Sequence, residues 1–205
     1  MKTLSAIIVS LALLSQGSLL AEGEPTGRWI SMFDGKSLQG WKANEMPKQW
    51  TIVEGAIKTA PGRSHLFYVD HEFTDFEFKA EVKTTPGSNS GVYFHSKWQD
   101  EGWPERGYES QVNQTHGDPV KSGSLYNVIK LYESPAKDEQ WHEHRIVVKG
   151  KNIHIHINGK LVIDYTEPEG GTGPRRLSQG TIALQSHDPK SVVYYRNLQI
   201  QPLDK

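Results

Sequence analysis

Two stretches of strict alternation commit this chain to antiparallel β-sheet. In Phe76–Thr84, Phe76, Phe78, Ala80 and Val82 alternate with Glu77, Lys79, Glu81 and Lys83, the period-two pattern of a strand with one buried and one wet face. In Lys151–Asp164, Ile153, Ile155 and Ile157 alternate with His154 and His156, and Asn158-Gly159 then leads into Leu161, Val162 and Ile163. Asn-Gly supplies the positive φ angles of a type I′ turn, whose twist matches that of paired strands. Further strands are expected near Trp50–Val53, His65–Tyr68, Gly91–His95, Gly107–Asn113, Arg145–Lys149, Thr181–Ser186 and Val192–Ile200, about ten in all, with Pro and Gly punctuation between them. Two longer loops, Ser96–Arg106 and Thr115–Gln140, interrupt the series; long loops of this kind are often functional. Many short antiparallel strands imply an all-β sandwich or jelly roll of two sheets.

The first 21 residues follow another logic. Lys2 precedes the apolar run Leu4–Leu14, and small residues lead to Ala21, the pattern of a secretory signal peptide. The run falls short of the roughly 20 apolar residues that span a bilayer. A secreted or periplasmic protein with its signal peptide removed is therefore expected, with one domain over 27–205. The chain holds 23 basic and 24 acidic residues; residues 1–21 carry one of the basic residues and no acid, so 22 then stand against 24, a net charge of −2. Near-neutrality speaks against a nucleic-acid partner, which calls for a basic patch. The absence of cysteine excludes thiolate catalysis and cysteine-ligated metal.

Period two also sorts side chains onto faces. In Gly107–Asn113, Tyr108, Ser110 and Val112 share one face and Glu109, Gln111 and Asn113 the other. In Thr181–His187, Ile182 and Leu184 point to the core, and Ala183, Gln185 and His187 away from it. In Gly91–His95, Val92 and Phe94 point inward, Tyr93 and His95 outward. If these strands are neighbours, Tyr93, Glu109, Gln111, Gln185 and His187 form one wall. A solvated outer face is the plain alternative for each of them; amides, donor and acceptor at once, suit sugar hydroxyls. His142-x-His144 and His154-x-His156 have metal-like spacing but no nearby third ligand, and both pairs are expected on exposed faces. Asp100, Glu101 and Glu105 are expected to be a solvated loop rather than a Ca²⁺ site. No nucleophile elbow or phosphate loop occurs. Tyr108-Glu109-Ser110-Gln111 offers one acid and one amide where a two-carboxylate glycosidase needs a pair of acids.

Taken in order, the segments resemble a known family. Phe33-Asp34-Gly35-Lys36-Ser37-Leu38-Gln39-Gly40-Trp41, Trp50–Gly55, Asn89-Ser90-Gly91-Val92-Tyr93-Phe94, Tyr108-Glu109-Ser110-Gln111, Ser122-Gly123-Ser124-Leu125-Tyr126, Trp141, the Asn158-Gly159 hairpin, Leu184-Gln185-Ser186-His187 and Tyr195-Arg196-Asn197-Leu198 resemble, in order and spacing, the 3-keto-disaccharide hydrolases, also described as 3-keto-glucoside-1,2-lyase/3-keto-2-hydroxy-glucal hydratases. Asp34, His95, His142 and Asp188 depart from the family's usual Asn, Arg, Asn and Gly. The resemblance implies a concanavalin-like jelly roll and an oxidised (3-keto) glycoside or disaccharide as substrate. A ketone at C3 acidifies the C2 proton, so one general base generates an enolate that expels the C1 oxygen, and hydration completes net hydrolysis. On this reading Glu109 and His187 are the acid/base pair, and Asn89, Tyr93, Gln111, Tyr126, Gln185 and Arg196 hold hydroxyls or polarise the ketone. A divalent metal is compatible as electrophile, though the sequence does not demand one. Two other readings stay open: a non-catalytic lectin-like module, and a laminarinase-like glycosidase whose second carboxylate would have to come from a loop.

Overall fold

The computed structural model describes residues 27–204; the signal-peptide reading of residues 1–21 lies outside the described residues. The strands are β1 (Ile30–Ser31), β2 (Trp41–Ala43), β3 (Thr51–Val53), β4 (Ala56–Lys58), β5 (Ser64–Tyr68), β6 (Phe76–Thr84), β7 (Asn89–Ser96), β8 (Tyr108–Asn113), β9 (His142–Lys149), β10 (Asn152–Ile157), β11 (Lys160–Thr166), β12 (Thr181–Ser186) and β13 (Val193–Pro202). The only helical element among the described residues is a 3-10 turn at Pro47–Gln49. The larger sheet runs β11-β10-β9-β6-β13-β4-β3, with β1 also on β13, and the smaller runs β2-β5-β12-β7-β8. Every pairing is antiparallel. The chain is a jelly-roll sandwich of the concanavalin-like class.

The core lies between the sheets, built by the alternation that the sequence displays. Phe76, Phe78, Ala80 and Val82 of β6, Ile146 and Val148 of β9, and Ile153 and Ile155 of β10 face Val92, Phe94, Val112, Ile182 and Leu184 from the smaller sheet, all within one buried cluster. Burial of a side chain of this size stabilises the fold by roughly 1.5–3 kcal/mol. Asn158 and Gly159 take φ of 51° and 76° and turn β10 into β11, as a type I′ hairpin requires.

Two expectations fail here for local reasons. β9 begins at His142, three residues earlier than expected, so His142 and His144 fall in phase with Ile146 and Val148 and point inward. They are buried, and the His144 ring reaches Ser110 Oγ at 2.7 Å through Nε2. His154, by contrast, lies on the wet face and meets Asp164 at 3.2 Å. His95 leaves the outward face because its backbone is left-handed, φ 54°. Its ring packs on Phe76 and Phe94 and its Nε2 bonds Thr74 O at 2.8 Å.

A candidate active-site cleft on the smaller sheet

The smaller sheet places β12, β7 and β8 side by side, which settles the adjacency that a single sequence leaves open. In register, Tyr93 sits between Ala183 and Glu109, and Gly91 lies opposite Gln111. Their outward side chains form the floor of a cleft of about 240 Å³, lined by Asn89, Tyr93, Glu109, Gln111, Tyr126, Gln185 and His187, with Trp103, Asp118 and Arg175 from loops. That is below the ~300–1,000 Å³ of sites for drug-sized ligands and of the order of one sugar ring.

Glu109 is the centre of this floor. It is 3 % exposed, and its carboxylate lies across the bare backbone of Gly91, where a Cβ would collide with its Oε1. The glycine in β7 is therefore a seat for the acid on β8. Gln185 Nε2 donates both to Glu109 Oε1 at 3.1 Å and to the Tyr93 hydroxyl at 3.0 Å, and the Tyr93 hydroxyl in turn bonds the carboxylate. Burial penalises the anion and pushes Glu109 up to about 7, against the opposing pull of Tyr93, Arg175 and Gln185. A base poised near neutrality is what proton abstraction at physiological pH needs. The same burial, with the neighbouring carboxylate, pushes the Tyr93 phenol well up, so it stays protonated and donates.

His187 closes one end. Its ring tilts against Trp103 with centroids 5.3 Å apart, and its Nδ1 is 2.9 Å from Asp188 Oδ2. Partial burial raises Asp188, but bonds from Ser191, His187 and the Lys190 N–H outweigh it and hold the carboxyl at about 2. The anion thus holds the Nδ1–H and orients the ring, leaving Nε2 as the nitrogen that serves proton transfer. Behind the floor, His65 meets Tyr93 and Trp103 edge-on at 5.4 and 5.3 Å. Burial, with Arg63 and His187 adding to it, drops His65 to about 3.

The cleft has buried polar atoms without partners. Among the described residues, Asn89 Oδ1, Gln185 Oε1 and Arg175 Nη1 have no hydrogen-bond partner. Two acceptors and a donor left open in one small cleft are unusual, since buried polar atoms are nearly always paired.

His116, His187 and Asp188 are the one group of described residues whose ligand atoms lie within 4.8 Å of each other. His116 Nδ1 accepts from the Asp118 N–H at 3.0 Å and faces Asn89 Nδ2 at 3.4 Å. With Nδ1 accepting, Nε2 is the nitrogen that carries a proton, 3.9 Å from Asp188 Oδ2. One hydrogen bond, His187 Nδ1 to Asp188 Oδ2, ties the trio together, and His116 packs edge-on against the His187 ring at 5.6 Å.

Of the residues singled out from sequence, Glu109, His187, Asn89, Tyr93, Gln111, Tyr126 and Gln185 converge on this cleft. Arg196 does not. It lies on the outer face of the larger sheet, bonded to Glu81 at 2.8 Å and stacked on Trp141 with its guanidinium carbon 4.0 Å from the ring centre. Alternation places a residue outside the core but does not say which sheet it faces out from. Trp103 and Asp118 come from the two long loops already marked as functional. Arg175 comes from the segment between β11 and β12, where no periodicity signals it; its only flag is the turn chemistry of Gly170-Gly171-Thr172-Gly173-Pro174.

Among solved structures, the fold is similar to a candidate glycosyl hydrolase from Parabacteroides distasonis at TM-score 0.73 and 22% identity, covering 86% of this chain and 94% of that one. A second structure so described from the same organism gives TM-score 0.69 and 25% identity, covering 86% and 100%. The carbohydrate-binding module CBM66 of Bacillus subtilis shares the fold at TM-score 0.61 and 16% identity, covering 79% and 95%. In sequence, the chain is 29% identical over 171 residues to a 3-keto-disaccharide hydrolase of Bacteroides thetaiotaomicron, covering 67% of this chain and 58% of that relative's length. The family profile described as the 3-keto-alpha-glucoside-1,2-lyase-like domain matches residues 28–201, and the chain belongs to that family.

Proposed function

We propose that this protein cleaves a glycoside already oxidised to a ketone at C3, by elimination at C1 followed by hydration. The observation that carries this reading is Glu109: a fully buried carboxylate, poised near neutrality, seated on Gly91 among groups that can grip a sugar. Glu109 takes the proton from C2, and the C–H electron pair forms the C2–C3 double bond of an enolate. The pair then returns, the C1–O bond breaks, and His187, protonated on Nε2 for this step, delivers that proton to the leaving oxygen. Water adds at C1 and gives a proton back to His187 Nε2, while Glu109 returns its proton to C2, so the sum is hydrolysis and both groups are restored. Asn89 Oδ1 and Gln185 Oε1, open acceptors in the cleft, take sugar hydroxyl protons. Tyr93 keeps its one hydroxyl proton on the Glu109 carboxylate and orients the base. Residues 1–21 would send the enzyme out of the cytoplasm, and the described domain would act in the periplasm or beyond.

A second reading rests on Asp118, which lines the same cleft and gives Glu109 a partner for ordinary two-carboxylate hydrolysis. A lectin-like module of the same fold would need neither group to titrate. Incubating the protein with 3-keto-trehalose and with trehalose separates the three. The proposed enzyme consumes only the ketone, an ordinary glycosidase consumes trehalose, and a module binds without turnover. Loss of ketone cleavage by about 100-fold or more in Glu109→Gln, the scale of general-base catalysis, is expected. Turnover by that variant near the wild-type rate would sink the assignment.

A further inference from the structure

An enolate needs a partner for its developing negative charge, and the geometry points to Arg175 as that partner. We propose that Arg175 is a catalytic residue whose Nη1–H binds the C3 ketone oxygen and stabilises the enolate; this rests on the elimination reading above. Its Nη1 is buried and has no hydrogen-bond partner among the described residues, although Arg175 lines the cleft that holds the general base. Leaving a buried cationic donor unpaired is costly, and an oxygen brought by the substrate removes that cost. The guanidinium carbon stands 5.9 Å from the centre of the Tyr93 ring, on the strand next to Glu109.

The loop that carries Arg175 is fastened on both sides. Upstream, Glu167 Oε2 accepts from the Tyr108 hydroxyl at 2.8 Å and from the Leu177 N–H at 2.6 Å. Downstream, the Ser178 N–H donates to His95 Nδ1 at 3.1 Å, and just before Arg175 the Pro174 carbonyl accepts from the Gly107 N–H at 3.2 Å. The left-handed turn at His95 thus has a use: it brings the ring under the loop and fixes the height at which Arg175 enters. The step balances without a further reagent. The proton passes to Glu109, the charge comes to rest on the C3 oxygen beside Arg175, and both are released when the electron pair returns.

The test separates enolisation from bond cleavage. 1,5-Anhydro-3-keto-D-glucitol has the ketone but no leaving group, so exchange of its C2 hydrogen for deuterium in D2O, followed by NMR, reports enolate formation alone. Wild-type protein is expected to catalyse exchange. Arg175→Ala is expected to lose about 100-fold or more, the scale seen on removing an oxyanion donor, with thermal unfolding unchanged and partial rescue by added guanidinium. Arg175→Lys is expected to fall between the two, having the charge without the fork. Exchange by Arg175→Ala within about threefold of wild type, or a deficit that guanidinium leaves untouched in both variants, overturns the role of Arg175 while the elimination reading stands. Absence of exchange in the wild type overturns both.

Discussion

The two sheets present outer faces of similar composition and opposite character. On the larger sheet the polar side chains are half-exposed and paired: Glu77 with Arg145 at 2.6 Å, Glu81 with Arg196 at 2.8 Å, Lys79 over Trp29 and Lys83 over Trp141 and Tyr194. On the smaller sheet β5, β7, β8 and β12 are buried on both faces, because loops fold back over the polar side. There the polar atoms are left with open valences. Exposed pairs in water contribute little; buried, incompletely paired groups are strongly perturbed and concentrate at functional sites. A polar face becomes a site when it is covered without being neutralised.

The sharpest way to break this contrast is to neutralise one acid on each face. Glu109→Gln is expected to abolish most activity on a 3-keto-disaccharide, whereas Glu81→Gln should leave kcat/KM within about twofold, since surface changes remote from a site are usually mild. An equal loss from both would remove the distinction. The next effect is geometric. Gly91→Ala puts a methyl where the Glu109 carboxylate lies and should lower kcat by about 100-fold, as a displacement of about 1 Å can, with the midpoint of thermal unfolding reporting how far the sheet absorbs it.

Acid should set the buried histidines against the buried acid. His65, His142 and His144 are held to about 3, about 4 and about 3 by burial. Their folded pKa values lie below the unfolded value, so the unfolded chain binds more protons between about pH 4 and 6.5, and stability falls as pH drops through that window. Each contributes on the order of 2 kcal/mol of loss between pH 7 and 5. Glu109 works in the opposite sense: its folded value is raised, so its burial destabilises the protein increasingly as pH rises from about 4.5 to 7. The three histidines outweigh the one acid, and denaturant midpoints should fall from pH 7 to pH 5. Glu109→Gln should be more stable than wild type at pH 7, and the gap should narrow toward pH 5. Wild-type activity in turn should rise with pH up to about 7 as Glu109 ionises. The smallest effect belongs to Arg196→Ala, which removes the Trp141 stack and the Glu81 bond. It should cost about 1 kcal/mol of stability and leave KM unchanged; a raised KM would return Arg196 to the substrate.

What the sequence made legible follows from the same physics. Alternation in Phe76–Thr84 and the Asn158-Gly159 turn specify strands and a hairpin because both are local. Alternation also sorted Glu109 and Gln111 away from Tyr108 and Val112, since a strand has only two faces. Three things lay beyond it. Arg196 alternates as faithfully as Gln185, but nothing local distinguishes the outer face of one sheet from that of the other. The burial of His142 and His144 is not legible because an early start to β9 changes the burial of a residue without changing its neighbours in sequence. Arg175 and Asp118 act from loops, where position is set by distant anchors such as His95 and Glu167.

Gln185 has a further bearing on selectivity. Its Nε2 is committed twice, to Tyr93 and to Glu109, so the amide cannot flip without stranding both. Its Oε1 is therefore permanently an acceptor. Whatever occupies the cleft is recognised there by a proton it can give, and an ether or ester at the same position, equal in shape but with nothing to donate, would be turned away by electrostatics alone.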